Sequence, residues 1–181
     1  MIHILSAFYA LIFLFGIIGA GRGWAKELLV IFSMLVALAL IAIFEHVIPI
    51  TNELLVPGSM VQFWFRTLVL IILVVFGYQT PKISRFAPAS GRKDTIQETM
   101  LGFVMGMFNG FMIIGSLWYF MHYTNYPFES FAIAPNGNTE IGQTALDIAN
   151  KYLPPSMMIF QHPWVYVAVI FSFVFVLVVF L

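Results

Sequence analysis

Five stretches of almost unbroken apolar residues run along the chain: Ile2 to Ala20, Leu28 to Ile50, Val61 to Tyr78, Met100 to Tyr123 and Trp164 to Leu181. Polar and turn-forming residues collect between them. Each stretch is near the ~20 residues that an α-helix needs to cross ~30 Å of hydrocarbon. The pattern predicts an all-α, polytopic membrane protein with five transmembrane helices. The positive charges of the first stretch follow the apolar run instead of preceding it, so it reads as a retained span and not as a secretory leader. Pro57-Gly58 sits in the short second connection, a turn signal that makes the second and third helices antiparallel neighbours. The largest segment between spans, Thr124 to Pro163, opens with turn residues and then changes period. Ile141, Ala145, Ile148, Ala149 and Tyr152 recur at helical spacing, with Glu140, Gln143, Asp147 and Asn150 at other positions, until Pro154-Pro155. An amphipathic helix over 139–153 is expected, lying on the outer membrane surface or against the helix ends.

Composition agrees with the pattern. The 181 residues are 61% hydrophobic and 9% charged, against about 25% charged in a soluble domain, and the mean hydropathy is +0.97. There is no cysteine, which excludes disulfides, iron–sulfur clusters and cysteine-ligated zinc. A net charge of zero gives no long-range attraction to nucleic acid. With the connections placed on alternate sides, Arg22, Lys26, Lys82, Arg85, Arg92 and Lys93 fall together, while Lys151, with Arg66 just inside the membrane, falls opposite. The positive-inside rule then puts the N-terminus outside and the C-terminus in the cytoplasm, with Glu45, Glu53, Glu129, Glu140 and Asp147 on the outer side. The basic connection Gln79 to Asp94 reads as a topology determinant lying against anionic headgroups.

In the fourth span Gly102, Gly106 and Gly110 are spaced by four, and Asn109 and Ser116 share their face. The first span offers a matching strip in Gly16, Gly19, Ala20 and Gly23. In lipid, small residues let helix backbones approach and a polar side chain such as Asn109 can bond across the contact, so both strips read as helix-packing faces, within the chain or toward a partner. Arg22, Lys26 and Glu27 read as a cytoplasmic hairpin, a topology anchor first and a partner site second. Glu98, with Asp94 and Arg92, is placed to cap the fourth helix. Arg66 is a cation inside a predicted span and Glu45 lies at comparable depth in the second, which predicts an intramembrane ion pair, structural or part of a polar pathway. His3, His46, His122 and His162 map to the outer helix ends without an i, i+4 pair, and read as interfacial residues beside the aromatic belt of Trp64, Trp118, Tyr119, Tyr123 and Trp164 rather than as metal or haem ligands. No nucleophile motif, phosphate loop or dinucleotide fingerprint stands in the sequence, so no catalytic residue, cofactor or metal is expected.

Two motifs resemble one known family. Gly19-x-x-Arg22-Gly23-x-x-Lys26-Glu27-Leu28 after a first helix is similar to a signature of the colicin V production protein (CvpA) family. Glu98-Thr99-Met100-Leu101-Gly102-x-x-x-Gly106-x-x-x-Gly110 resembles that family's entry into its fourth helix, with Glu98 where Asp is usual. The resemblance covers roughly residues 1–155, a four-helix membrane domain with its amphipathic segment, and leaves 156–181 as an additional C-terminal span. It implies a non-enzymatic protein of the bacterial inner membrane, linked to bacteriocin production and envelope stress, whose partners are the lipid bilayer and other membrane subunits or further copies of itself. Two other classes suit the same features: an accessory subunit of a respiratory or photosynthetic membrane complex, and a small channel or carrier.

Overall fold

The computed structural model describes residues 4–48, 54–79, 92–128 and 135–180. His3, Glu53, Lys82, Arg85 and Glu129 lie outside the described residues, as do the side chains of Arg92, Lys93 and Asp94. Among the described residues the fold is all-helical. α1 is Ile4–Arg22, α2 Trp24–His46, α3 Met60–Tyr78, α4 Arg92–Tyr123, α5 Glu140–Lys151 and α6 Trp164–Phe180, with two short 3-10 turns, Pro154–Ser156 and Met158–Phe160, between the last two. The first four are long and apolar enough to cross a membrane. At 17 residues, α6 would be ~25 Å long and is a shorter apolar helix.

α2 is the central column. Val30, Met34, Leu38 and Ile41 along it join Phe63 and Leu70 of α3, Met112 and Phe120 of α4 and Val165 of α6 in one buried cluster. α6 runs antiparallel to α2, since Phe173 meets Phe32 at 6.1 Å and His162 meets His46 at 5.3 Å. α1 packs along α4. It is apolar all round, yet only Phe8, Ile12, Gly16 and Gly19 are buried, a narrow stripe that leaves its other faces for an apolar solvent.

That stripe meets α4 backbone to backbone. A Cβ on Gly19 would collide with the Gly102 carbonyl and lie 2.7 Å from Gly106 Cα, and one on Gly106 would collide with the Phe15 carbonyl. Gly110 faces Ile12 and Phe15, while Gly16 faces the side chains of Phe103 and Met107. Gly23 also lies on this seam, its Cα 3.2 Å from where a Gly102 Cβ would stand, and it has a second role. A Cβ there would meet nothing within 4 Å, but the residue holds φ 86, ψ 152, a region that a side chain all but forbids.

The first hairpin is therefore tighter than the sequence suggests. α1 continues through Arg22 and α2 begins at Trp24, so one residue, Gly23, makes the reversal. Lys26 and Glu27 belong to the first turn of α2 and not to a charged loop. Lys26 is exposed, but Glu27 is fully buried. α4 likewise starts at Arg92, some two turns before Met100, which moves Glu98 from the expected cap into the helix interior. At Glu27 a charged residue lies inside a helix because Arg22 of α1 and Asn109 of α4 bond to it.

α5 is capped by Thr139, whose side chain accepts the Gly142 amide proton at 3.1 Å, and ends before Pro154-Pro155. Its buried positions are Gly142, Ala145 and Ala149, and Ile141 is half-exposed. Ala145 and Ala149 let the helix lie close over Phe8, Trp118, Tyr126 and Leu153 at one end of α1 and α4, while Gly142 lies against the Asn136 carbonyl of the turn before the helix. Pro154 then packs on Gly115 of α4.

Candidate functional site

The bundle buries two charged clusters at opposite ends of α2. Eighteen positions separate Glu27 from Glu45, ~27 Å of helix. Between them the fully buried layer of Val30, Met34, Leu70 and Met112 is apolar.

At the Glu27 end, Arg22 Nη1 donates to Glu27 Oε1 at 2.8 Å and Asn109 Nδ2 donates to Glu27 Oε2 at 2.7 Å. The same Asn109 nitrogen is 3.0 Å from the Glu27 carbonyl oxygen, and Arg22 Nη2 donates to the Tyr78 carbonyl at 3.2 Å. The Arg22 guanidinium also lies over the Tyr78 ring, 4.2 Å from its centre. One carboxylate thus ties α1, α2 and α4 together, and its arginine extends the network to α3. Burying a carboxylate is tolerable only with this kind of pairing.

At the Glu45 end the expected pair forms. Arg66 Nε donates to Glu45 Oε1 at 2.6 Å and Nη2 to Oε2 at 2.8 Å, a two-bond fork. Gln62 Nε2 adds a third donor to Oε1 at 2.9 Å, and its own Oε1 accepts the Gly58 amide at 2.9 Å, which links the pair to the turn before α3. The flat face of the guanidinium sits 4.6 Å from the Tyr123 ring centre and 5.6 Å from that of Phe120. Nη1 has no partner among the described residues, although Arg66 is only 8% exposed.

That nitrogen belongs to a side chain lining a cavity of about 310 Å³. The polar wall is Glu45, His46, Arg66, Tyr119, Tyr123 and His162, and Leu38, Ile41, Phe120 and Phe160 supply apolar wall. The segment after α5 contributes Pro155, Phe160, Gln161 and His162. The rings of His46 and His162 stack at 5.3 Å with 6° between their planes. Nδ1 of His46 is 3.2 Å from the Ala42 carbonyl, and Nδ1 of His162 is 3.2 Å from the Tyr166 hydroxyl.

Sequence reasoning found Arg66 and Glu45 and placed His46 and His162 at one depth. It missed that the two imidazoles touch and that a cavity lies beside them. Only the return of α6 along α2 creates that meeting, and no local spacing encodes it. Trp118 is not an interfacial residue. It is 2% exposed and its Nε1 donates to the Tyr126 hydroxyl at 3.0 Å. Burial pushes the Tyr126 phenol up, and the Trp118 bond opposes that rise. His122 bonds to Asn150 of α5 at 3.0 Å, away from the other two. No group of metal-ligating residues occurs among the described residues.

The Arg66–Glu45 fork predicts strong coupling. Arg66→Leu and Glu45→Leu, singly and together, should show an interaction energy of ~1–3 kcal/mol in thermal unfolding in detergent, the double variant being more stable than the sum of the singles implies. Strictly additive losses would mean that the two side chains do not support each other. Searches with this chain against family models, curated proteins and solved structures find no match.

Proposed function

We propose that the chain is a non-enzymatic, multi-pass protein of the bacterial inner membrane, of the colicin V production type, acting in envelope or secretion physiology through contacts with other membrane proteins or lipid. In this reading α6 is a fifth span, α5 lies on the outer surface, the N-terminus is outside and the C-terminus is cytoplasmic.

One observation carries the proposal. The two motifs that bear the resemblance lie 75 positions apart, Gly19-x-x-Arg22-Gly23-x-x-Lys26-Glu27 and Gly102-x-x-x-Gly106-x-x-x-Gly110, and they are in direct contact. Gly19 of the first packs on Gly102 and Gly106 of the second, and Asn109, beside Gly110, binds Glu27 of the first. They form a single structural unit, and that contact is what supports the reading. The antiparallel packing of α1 on α4 also brings the Arg22 hairpin and the start of α4 to one end, in keeping with basic connections on a single side. Glu27 and Glu45 are each held by two or more donors, and the apolar layer between them supports a scaffold over a channel.

Extraction in a mild detergent followed by mass measurement of the intact assembly tests the reading. Protein or lipid retained in fixed ratio is expected, with no ion flux above that of empty proteoliposomes for Na⁺, K⁺, H⁺ or Cl⁻. Flux would overturn the proposal, and recovery inside a respiratory or photosynthetic complex would replace it with the accessory-subunit reading.

A further inference from the structure

The cavity beside Arg66 is walled by rings, and the charged pair in its wall is closed on itself. Glu45 takes both Nε and Nη2 of the guanidinium, so carboxylate and cation are spent on each other. Six of the thirteen lining residues bear a flat aromatic ring: Tyr119, Phe120, Tyr123, Phe160, His46 and His162. Two phenol hydroxyls stand unused among them. Neither the Tyr119 nor the Tyr123 hydroxyl bonds to another described residue, and that of Tyr119, on a half-buried side chain, is not sealed by its surroundings as Arg66 Nη1 is. It lies within electrostatic reach of Arg66, Glu45 and Tyr123, which share the cavity wall with it. At about 310 Å³ the space is at the small end of ligand pockets, ~300–1,000 Å³, room for one ring headgroup.

We propose that this cavity binds the headgroup of a membrane-soluble quinone, an uncharged flat ring whose strong polar groups are carbonyl oxygens. An ion finds no unpaired counter-charge in the Glu45–Arg66 fork and would be desolvated without return. A plain acyl chain would cover the hydroxyls and leave them without an acceptor. A sugar brings more donors and acceptors than a wall of rings can meet. A quinone takes what is offered: its carbonyl oxygens only accept, and the tyrosine hydroxyls donate. Its ring also packs on aromatic side chains in offset or edge-to-face contact. Tyr119 and Tyr123 are one turn apart on α4 with ring centres 6.0 Å apart, which sets both on one wall of the space. Leu38 and Ile41 of α2 supply apolar wall for the substituents of the ring.

Calorimetric titration of the protein in dodecyl maltoside tests this. The probes are 2,3-dimethoxy-5-methyl-1,4-benzoquinone and 3,4-dimethoxytoluene, which keeps the ring, the methyl and both methoxy groups but has no carbonyl. The chain has no cysteine, so thiols do not consume the quinone. Saturable binding of the quinone is expected, about tenfold or more tighter than that of the toluene. Tyr119→Phe and Tyr123→Phe keep both rings, that of Tyr123 still against the Arg66 guanidinium, and without ligand the double variant should melt as the wild type does. It should bind the quinone about tenfold or more weakly and the toluene unchanged. If the double variant does not fold, Tyr119→Phe alone gives the same reading, with a loss of about three- to tenfold. No saturable binding of the quinone, equal affinity for the toluene, or a quinone affinity unchanged by these substitutions overturns the proposal.

Discussion

Gly106→Leu, and separately Gly19→Val, should be strongly destabilised, while Gly21→Ala should behave like the wild type. The contrast follows from what each new side chain meets. Gly19 and Gly106 face backbone across the α1–α4 contact, the Gly102 carbonyl on one side and the Phe15 carbonyl on the other, and backbone cannot swing aside as a flexible side chain does. Overpacking a core commonly costs 1–3 kcal/mol and more where nothing can yield. Here α1 must move off α4 bodily. A loss of about 3 kcal/mol or more is expected, which lowers the folded-to-unfolded ratio by over a hundredfold. Gly21, two positions from Gly19, has open space around its missing side chain, so its substitution controls for the loss of a glycine as such. Size-exclusion profiles and thermal midpoints of the three variants in one detergent decide the matter. A monodisperse Gly106→Leu with an unchanged midpoint would mean that this seam does not hold the bundle together.

How much of this was legible in the sequence differs by kind of feature. Apolar runs gave the helices, because a chain in lipid must satisfy its backbone within each segment, and spacing by four gave the glycine faces, because a helix repeats nearly every four residues. The ends of helices were less legible. Glu27 looked like loop because charge usually stops a span, and only the tertiary partners Arg22 and Asn109 make its burial affordable. The stripe on α5 is narrower than its apolar residues suggest: Ala145, Ile148 and Ala149 do face the bundle, and the two ends of the stripe do not. Ile141 and Tyr152 looked like part of that stripe by hydrophobicity, yet they stay exposed while Ala145 and Ala149 pack beside Trp118. The Arg66–Glu45 pair was predictable from cost alone, since two opposite charges at one depth in lipid have each other as the cheapest partner. The cavity next to it was not, because it depends on where the turns after α5 bring Phe160, Gln161 and His162.

The Glu27 cluster makes the remaining strong prediction, and its interest lies in an asymmetry. Arg22→Met removes the cation and leaves a fully buried carboxylate with Asn109 as its remaining side-chain donor. Uncompensated burial of that kind costs about 3–5 kcal/mol. Glu27→Gln is milder, about 1–2 kcal/mol, for two reasons. Arg22 is partly exposed and keeps its bond to the Tyr78 carbonyl and its place over the Tyr78 ring, and the glutamine oxygen can still accept from Asn109. The double variant Arg22→Met/Glu27→Gln should therefore be more stable than Arg22→Met alone, because removing the second charge relieves the defect created by removing the first. A surface anchor gives the opposite pattern. If these residues served only to mark the side of the membrane, each substitution would cost a few tenths of a kcal/mol and the two would add. Thermal midpoints of the four proteins distinguish the cases by sign, since only a buried charge pair makes the second substitution restorative.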